Sequence, residues 1–113
     1  RHRRNCAARY SAALKTAPSV GLPVSEPGHA YLRYTVCVDN PARRIAHARR
    51  DGVELGDWYA SVLAPSRVDY KAMGYTPGSC PNAERLAALS LNLPTHIGIT
   101  PGMIEQIVSY VRA

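Results

Sequence analysis

Gly78-Ser79-Cys80-Pro81-Asn82-Ala83-Glu84-Arg85, continuing through Leu86 to Ser90 into Leu91-Asn92-Leu93-Pro94-Thr95-His96, decides how this chain is read. Ser79 or Cys80 stands at an N-cap position, and Pro81 falls in the first turn, where its missing N–H costs nothing. Ala83, Leu86, Ala87 and Ser90 then share one helical face. Leu91 to Leu93 reads as a short strand, which Pro94 ends because proline cannot donate to a ladder. A capped helix that runs into a strand stopping at Pro-x-His places His96 at a strand end, a position that faces a cleft in many mixed folds.

Downstream, Thr100 caps a helix that Pro101 starts, with Ile104, Ile107, Val108 and Val111 at intervals of three and four. Upstream, residues 1 to 17 place Cys6, Tyr10, Ala13, Leu14 and Ala17 at helical spacing, with arginines on the other side, before Pro18. Gly21, Pro23 and Pro27 mark an extended loop. From Ala30 the period becomes two: Leu32, Tyr34, Val36 and Val38 share a core face, and Tyr31, Arg33, Thr35 and Cys37 share the other. Asn40 caps and Pro41 opens a helix expected to reach Asp51, with Gly52 as its left-handed stop. Val53 to Tyr59 is expected as a second strand, and Ala64 to Gly78 as an irregular stretch around one turn, Asp69 to Met73. The sum is an α+β fold: a small sheet of three or four mainly antiparallel strands with helices packed on it.

The 113 residues are expected to form one domain. No apolar run approaches the ~20 residues of a bilayer-spanning helix, and no segment has the pattern of a secretory signal. Cys6, Cys37 and Cys80 are odd in number and widely spaced, which suggests neither a disulfide framework nor a zinc site; a reducing cytoplasmic setting is the simplest expectation. Twelve arginines and two lysines against eight carboxylates give a net charge of +6. The arginines cluster on two predicted helices, as Arg1, Arg3, Arg4 and Arg9 and as Arg43, Arg44, Arg49 and Arg50, without interleaved aromatics. A solvated helix face or a site for an anionic ligand accounts for this better than nucleic-acid binding. Opening on Arg1 with a helical pattern already running is expected of a segment cut from a longer polypeptide.

Together with Tyr31 to Val38 and Gly56 to Tyr59, the stretch from Gly78 to His96 resembles the C-terminal small domain of DegT/StrS-type sugar aminotransferases, which use pyridoxal phosphate (PLP). The resemblance covers essentially the whole chain. Ala7-Ala8-Arg9-Tyr10 looks like the helix entering that domain, and His29 to Tyr34 like its first strand. It implies that the intact enzyme moves an amino group from an amino acid, often glutamate, to a keto-sugar carried on a nucleotide. It further implies that residues 1 to 113 close one side of the cleft against a large PLP-binding domain of the same polypeptide, typically in a homodimer. Where the family commonly has Gly-x-His-Tyr and a second histidine, this chain has Gly56-Asp57-Trp58-Tyr59 and Ala64: Tyr59 matches, and Trp58 and Ala64 replace the two imidazoles.

Such an enzyme needs an amine to hold the cofactor, a carboxylate at the pyridine nitrogen and a cup of N–H and hydroxyl groups for the phosphate. Only Lys15 and Lys71 offer amines, and both read as surface lysines, so no catalytic or cofactor-binding residue is assigned to this chain and no catalysis is expected of it alone. The substrate-cleft candidates are Trp58, Tyr59, His96, Arg33 and His29. Each has a plain structural alternative: Trp58 as a core or interface anchor, His96 and His29 as rings bonded to backbone, Arg33 in a salt bridge to the neighbouring strand. No metal-ligand spacing is present. A rival reading is a standalone, non-catalytic α+β module that binds a protein or an anion. A face left bare by separation from a larger domain is also expected to self-associate, through the Trp58 side.

Overall fold

In the computed structural model, which describes residues 1–113, two strands form the sheet: β1, Tyr34–Cys37, and β2, Ser90–Leu93. They pair antiparallel, with Tyr34 opposite Leu93, Thr35 opposite Asn92 and Val36 opposite Leu91. Single bridges widen the layer at both edges, Gly21 to Cys37 and Gly56 to Asn92. Because successive side chains alternate between faces, the pairing gives the sheet a dry side, with Tyr34, Val36, Leu91 and Leu93 all buried, and a polar side with Thr35 and Asn92.

The dry side is the floor of the core. The helix α1, His2–Leu14, adds Cys6, Ala7, Tyr10 and Leu14, and the helix α4, Pro101–Arg112, adds Ile104, Ile107, Val108, Tyr110 and Val111. Tyr10 and Tyr34 pack ring to ring at 5.4 Å, and the Tyr10 hydroxyl donates to the carbonyl of Pro94 at 2.9 Å, so burying it leaves no orphaned polar group. Each large side chain buried here contributes about 1.5–3 kcal/mol of transfer free energy. Thr100 caps α4 through its side chain, which accepts from the N–H of Met103. Between the sheet strands lie α2, Pro41–Arg50, capped by Asn40, and α3, Pro81–Leu89.

Arginines tie helix ends to their neighbours. Arg44 of α2 donates to the carbonyls of Tyr110 and Val111 at the C-terminal end of α4, at 3.1 and 2.5 Å, and Arg112, the last residue of α4, donates to the carbonyl of Ala13 in the last turn of α1. Both place a cation where free carbonyls accumulate. Part of the positive charge is therefore structural, and Arg44 is not available as a free face for a polyanion.

The α+β expectation holds, as do the caps of α2 and α4 and the irregular run from Ala64 to Gly78, where Asp69 caps one turn by accepting from Lys71 and Ala72. Several boundaries differ. The opening helix ends at Leu14 rather than near 17. The first strand starts only at Tyr34, because Tyr31 takes a left-handed φ of 50° and Thr95 and Arg3 bond the carbonyls of the turn; Leu32, expected in the core, is 64% exposed. The strand expected over Val53 to Tyr59 shrinks to the one pair at Gly56, since the next available donor, the N–H of Trp58, goes to the Asn92 side chain instead of a ladder carbonyl. The apolar face assigned to α3 does not enter the core: no residue of that helix is buried, and Leu86 is 45% exposed. Cys80 is the N-cap of α3 but makes no side-chain cap bond.

Candidate functional site

On the polar side of the sheet, Asn92 sits opposite Thr35 and is only 3% exposed. Its amide is used at both ends: Nδ2 donates to Thr35 Oγ1 at 2.9 Å, and Oδ1 accepts the backbone N–H of Trp58 at 2.8 Å. Its main chain exchanges both bonds with Gly56, at 2.8 and 3.0 Å. Glycine at 56 gives Asn92 its room, because a Cβ would lie 3.2 Å from the Asn92 Cβ and 3.3 Å from Oδ1 and would press on that side chain. The chain leaving Gly56 is thus brought against the sheet and then turned outward.

What it turns outward is aromatic. Trp58 is 56% exposed and Tyr59 62%, with their rings stacked at 5.9 Å and 23°. The guanidinium of Arg33, which precedes β1, lies 4.0 Å from the centre of the Trp58 ring. The structural alternative for Arg33, an ion pair across strands, is replaced by this cation–π contact, and Trp58 is not a core residue. Beyond the rings a cleft of about 490 Å³ is lined by Asp57, Trp58, Tyr59, Ser61 and Ser66 among others. Arg33, Trp58 and Tyr59 are therefore brought together, and the cation with two aromatic faces suits a planar or anionic group.

His29 and His96 lie elsewhere, beside the first turn of α1. Both rings are exposed and bonded to nearby backbone: His29 Nδ1 accepts from the N–H of Tyr31 at 2.8 Å, and His96 Nδ1 accepts from the N–H of Gly98 at 3.2 Å. Arg4 donates to the carbonyl of His29, and the ring of His2 lies 2.9 Å from the carbonyl of His96. A cleft of about 710 Å³ opens here between Arg1, Arg3, Arg4 and His96. From His29 a row of rings leads inward through Tyr31, at 4.1 Å, and Tyr34, 6.0 Å further, to Tyr10. Burial raises the pKa values of Tyr10 and Tyr34 and keeps both phenols neutral; burial likewise raises that of the Cys6 thiol, which therefore lacks the thiolate character a nucleophile needs.

Sequence reading passed over two residues that shape this region, Asn92 and Thr95, which are the two buried polar side chains. Thr95 binds the carbonyls of Tyr31 and Leu32 at 2.7 and 3.0 Å and accepts from Arg3 at 3.0 Å. A polar residue between Leu91 and Leu93 was the available signal for Asn92.

The two lysine amines of these residues stand apart from both clefts. Lys15 follows the last turn of α1 and Lys71 lies in the capped turn after Asp69; both are exposed and neither lines the clefts above.

No curated protein matches the chain. Solved structures do. DesV of S. venezuelae, determined in complex with a ketimine intermediate, is 26% identical with a TM-score of 0.83, the match covering 98% of this chain and 30% of that one. The aminotransferase TlmJ of Streptoalloteichus hindustanus is 28% identical with a TM-score of 0.78, at the same coverages. DesI, solved with its TDP-sugar product, is 22% identical with a TM-score of 0.81, again over 98% and 30%, and bears on the fold alone. The chain thus spans about 30% of the length of these solved relatives. A family model for the DegT/DnrJ/EryC1/StrS aminotransferases matches residues 1–112, and the chain belongs to that family, whose members are in general PLP-dependent.

Proposed function

We propose that residues 1–113 are the C-terminal small domain of a PLP-dependent sugar aminotransferase, in which Arg33, Trp58 and Tyr59 form one wall of the cleft for a nucleotide-linked keto-sugar. The observation that carries this reading is the family match over residues 1–112 in a chain that spans only 30% of DesV. The amine that holds the cofactor would then come from outside these residues, consistent with the exposed settings of Lys15 and Lys71. His29 and His96 would border the cleft from the α1 side. Within the assembly the role of this domain is to bind and orient the sugar carrier and to exclude water, while the cofactor supplies the electron sink for amino transfer.

The surface supports a covering partner. The chain exposes 7549 Å², against roughly 6,100 Å² for a folded monomer of this size. Large apolar side chains stand exposed on it, among them Leu32, Trp58, Tyr59, Leu86 and Ile97. A large domain of the same polypeptide, in a cytoplasmic homodimer, is the cover we propose, and an isolated domain would self-associate through the Trp58 side. The family match does not favour a standalone interaction module.

The test uses the polypeptide that carries these residues, loaded with PLP. Glutamate alone should change the cofactor's absorption, and amino transfer to a nucleotide-linked keto-sugar should follow. Arg33→Ala and Trp58→Ala should each raise KM for the sugar substrate on the order of tenfold and leave the glutamate step intact. A polypeptide that shows no glutamate-dependent change would overturn the reading.

A further inference from the structure

We infer that Asn92 is the positioning residue for the Trp58–Tyr59 wall, an inference that rests on the proposed role of that wall in binding substrate. From Val53 to Ser79 the chain has neither helix nor ladder, so what fixes its first exposed aromatics has to be found among individual bonds. Next to the wall, those bonds converge on Asn92. Its main chain holds Gly56, and its side chain reaches past Gly56 to take the N–H of Trp58. The amide cannot swivel freely, because its other end is fixed on Thr35, directly across the ladder. This hydrogen-bond chain links β1, through Thr35 and Asn92, to the main chain of Trp58, while Arg33, one residue before β1, holds the Trp58 ring from its face. The backbone and ring of Trp58 are therefore both referenced to the start of the same strand.

Asparagine suits the task. The position needs one acceptor for Trp58 and one group that can bond the Thr35 hydroxyl, in a side chain short enough to lie beside Gly56 without pushing it away. Leucine has the size but neither polar atom. Aspartate keeps the acceptor for Trp58, and the Thr35 hydroxyl can turn to donate to its second oxygen. A residue that merely stabilised the domain would be interchangeable with any side chain that fills the space.

The experiment places 5-fluorotryptophan in the polypeptide that carries these residues and follows the fluorine resonance of Trp58, identified as the signal lost in Trp58→Phe. In Asn92→Leu that resonance should move and broaden while the methyl signals of Leu14 and Val111 in the core stay in place, and Asn92→Asp should restore it. With substrate, Asn92→Leu should raise KM for the sugar nucleotide on the order of tenfold, with kcat within about twofold. A purely structural role would instead lower kcat with the active fraction and leave KM alone. Should Asn92→Leu not fold, Thr35→Val, which removes only the far anchor of the amide, should move the Trp58 signal in the same direction. An unmoved Trp58 resonance in every variant that folds, or an Asn92→Asp signal no nearer wild type than that of Asn92→Leu, overturns the inference. If the resonance behaves as expected but Trp58→Ala leaves KM unchanged, positioning stands and the substrate role of the wall falls.

Discussion

The two faces of the β1–β2 sheet are built in opposite ways from the same eight residues. On one, Tyr34, Val36, Leu91 and Leu93 meet α1 and α4 in a continuous apolar layer, where many side chains share the work and each is buried by several others. On the other, Thr35 and Asn92 form one amide–hydroxyl pair, and the segment beyond Gly56 is fastened by a few named bonds. The first arrangement gives stability through summed area, which is insensitive to the direction of any one contact. The second gives direction with little area, which is what the placement of two exposed rings requires.

The comparison can be broken by substitution. Leu93→Ala on the dry face should cost about 2–5 kcal/mol, because the lost transfer energy and the cavity add, measured by urea unfolding. Arg44→Ala removes charge-assisted bonds to the end of α4 and should cost about 1–2 kcal/mol, with hydrogen-exchange protection lost first in the last turn of that helix. Thr100→Ala should cost about 1 kcal/mol, read as a lower unfolding midpoint with an unchanged slope. On the polar face, Gly56→Ala should change stability by less than about 1 kcal/mol yet displace Trp58, since the new Cβ presses on the Asn92 side chain. A large stability loss with Trp58 unmoved would show that both faces are built alike.

The smallest effect concerns the far end of the same irregular segment, where Glu84 of α3 accepts from the Tyr75 hydroxyl at 2.5 Å and the Gly78 N–H at 2.6 Å. The Tyr75 hydroxyl first, and then the Gly78 N–H, hold the Glu84 carboxyl below the usual range. Its contribution is therefore fully present above the unfolded carboxylate pKa, about 4.3, and disappears as pH falls through the lower folded value. The Gly78 amide resonance should report this titration, and Tyr75→Phe should bring its midpoint back toward the ordinary value. A midpoint unaffected by that change would mean that Glu84 does not latch the segment.

The sequence made the dry face readable because periodicity is a summed signal. Ile104, Ile107, Val108 and Val111 announce α4 whichever of them is considered first, and Asn40-Pro41 and Thr100-Pro101 mark helix starts by local chemistry alone. The polar face was not readable in that way. Trp58 and Tyr59 were picked out by resemblance, but the residue that aims them, Asn92, is distant in sequence and works through a single backbone N–H, which no spacing rule registers. Leu32 and Leu86 fit their apolar patterns and still face outward, one because a left-handed Tyr31 precedes it and the other because α3 packs at the margin of the domain, with none of its residues buried. Periodicity identifies an apolar face without saying which molecule covers it.

The most direct test of the account is to find the lysine that carries the cofactor in the native polypeptide containing these residues. Borohydride reduction of the PLP-loaded protein, followed by peptide mapping, should place the pyridoxyl label on one lysine outside residues 1–113 and leave Lys15 and Lys71 unmodified. A label on Lys15 or Lys71 would contradict the assignment of this chain as the domain that closes the cleft.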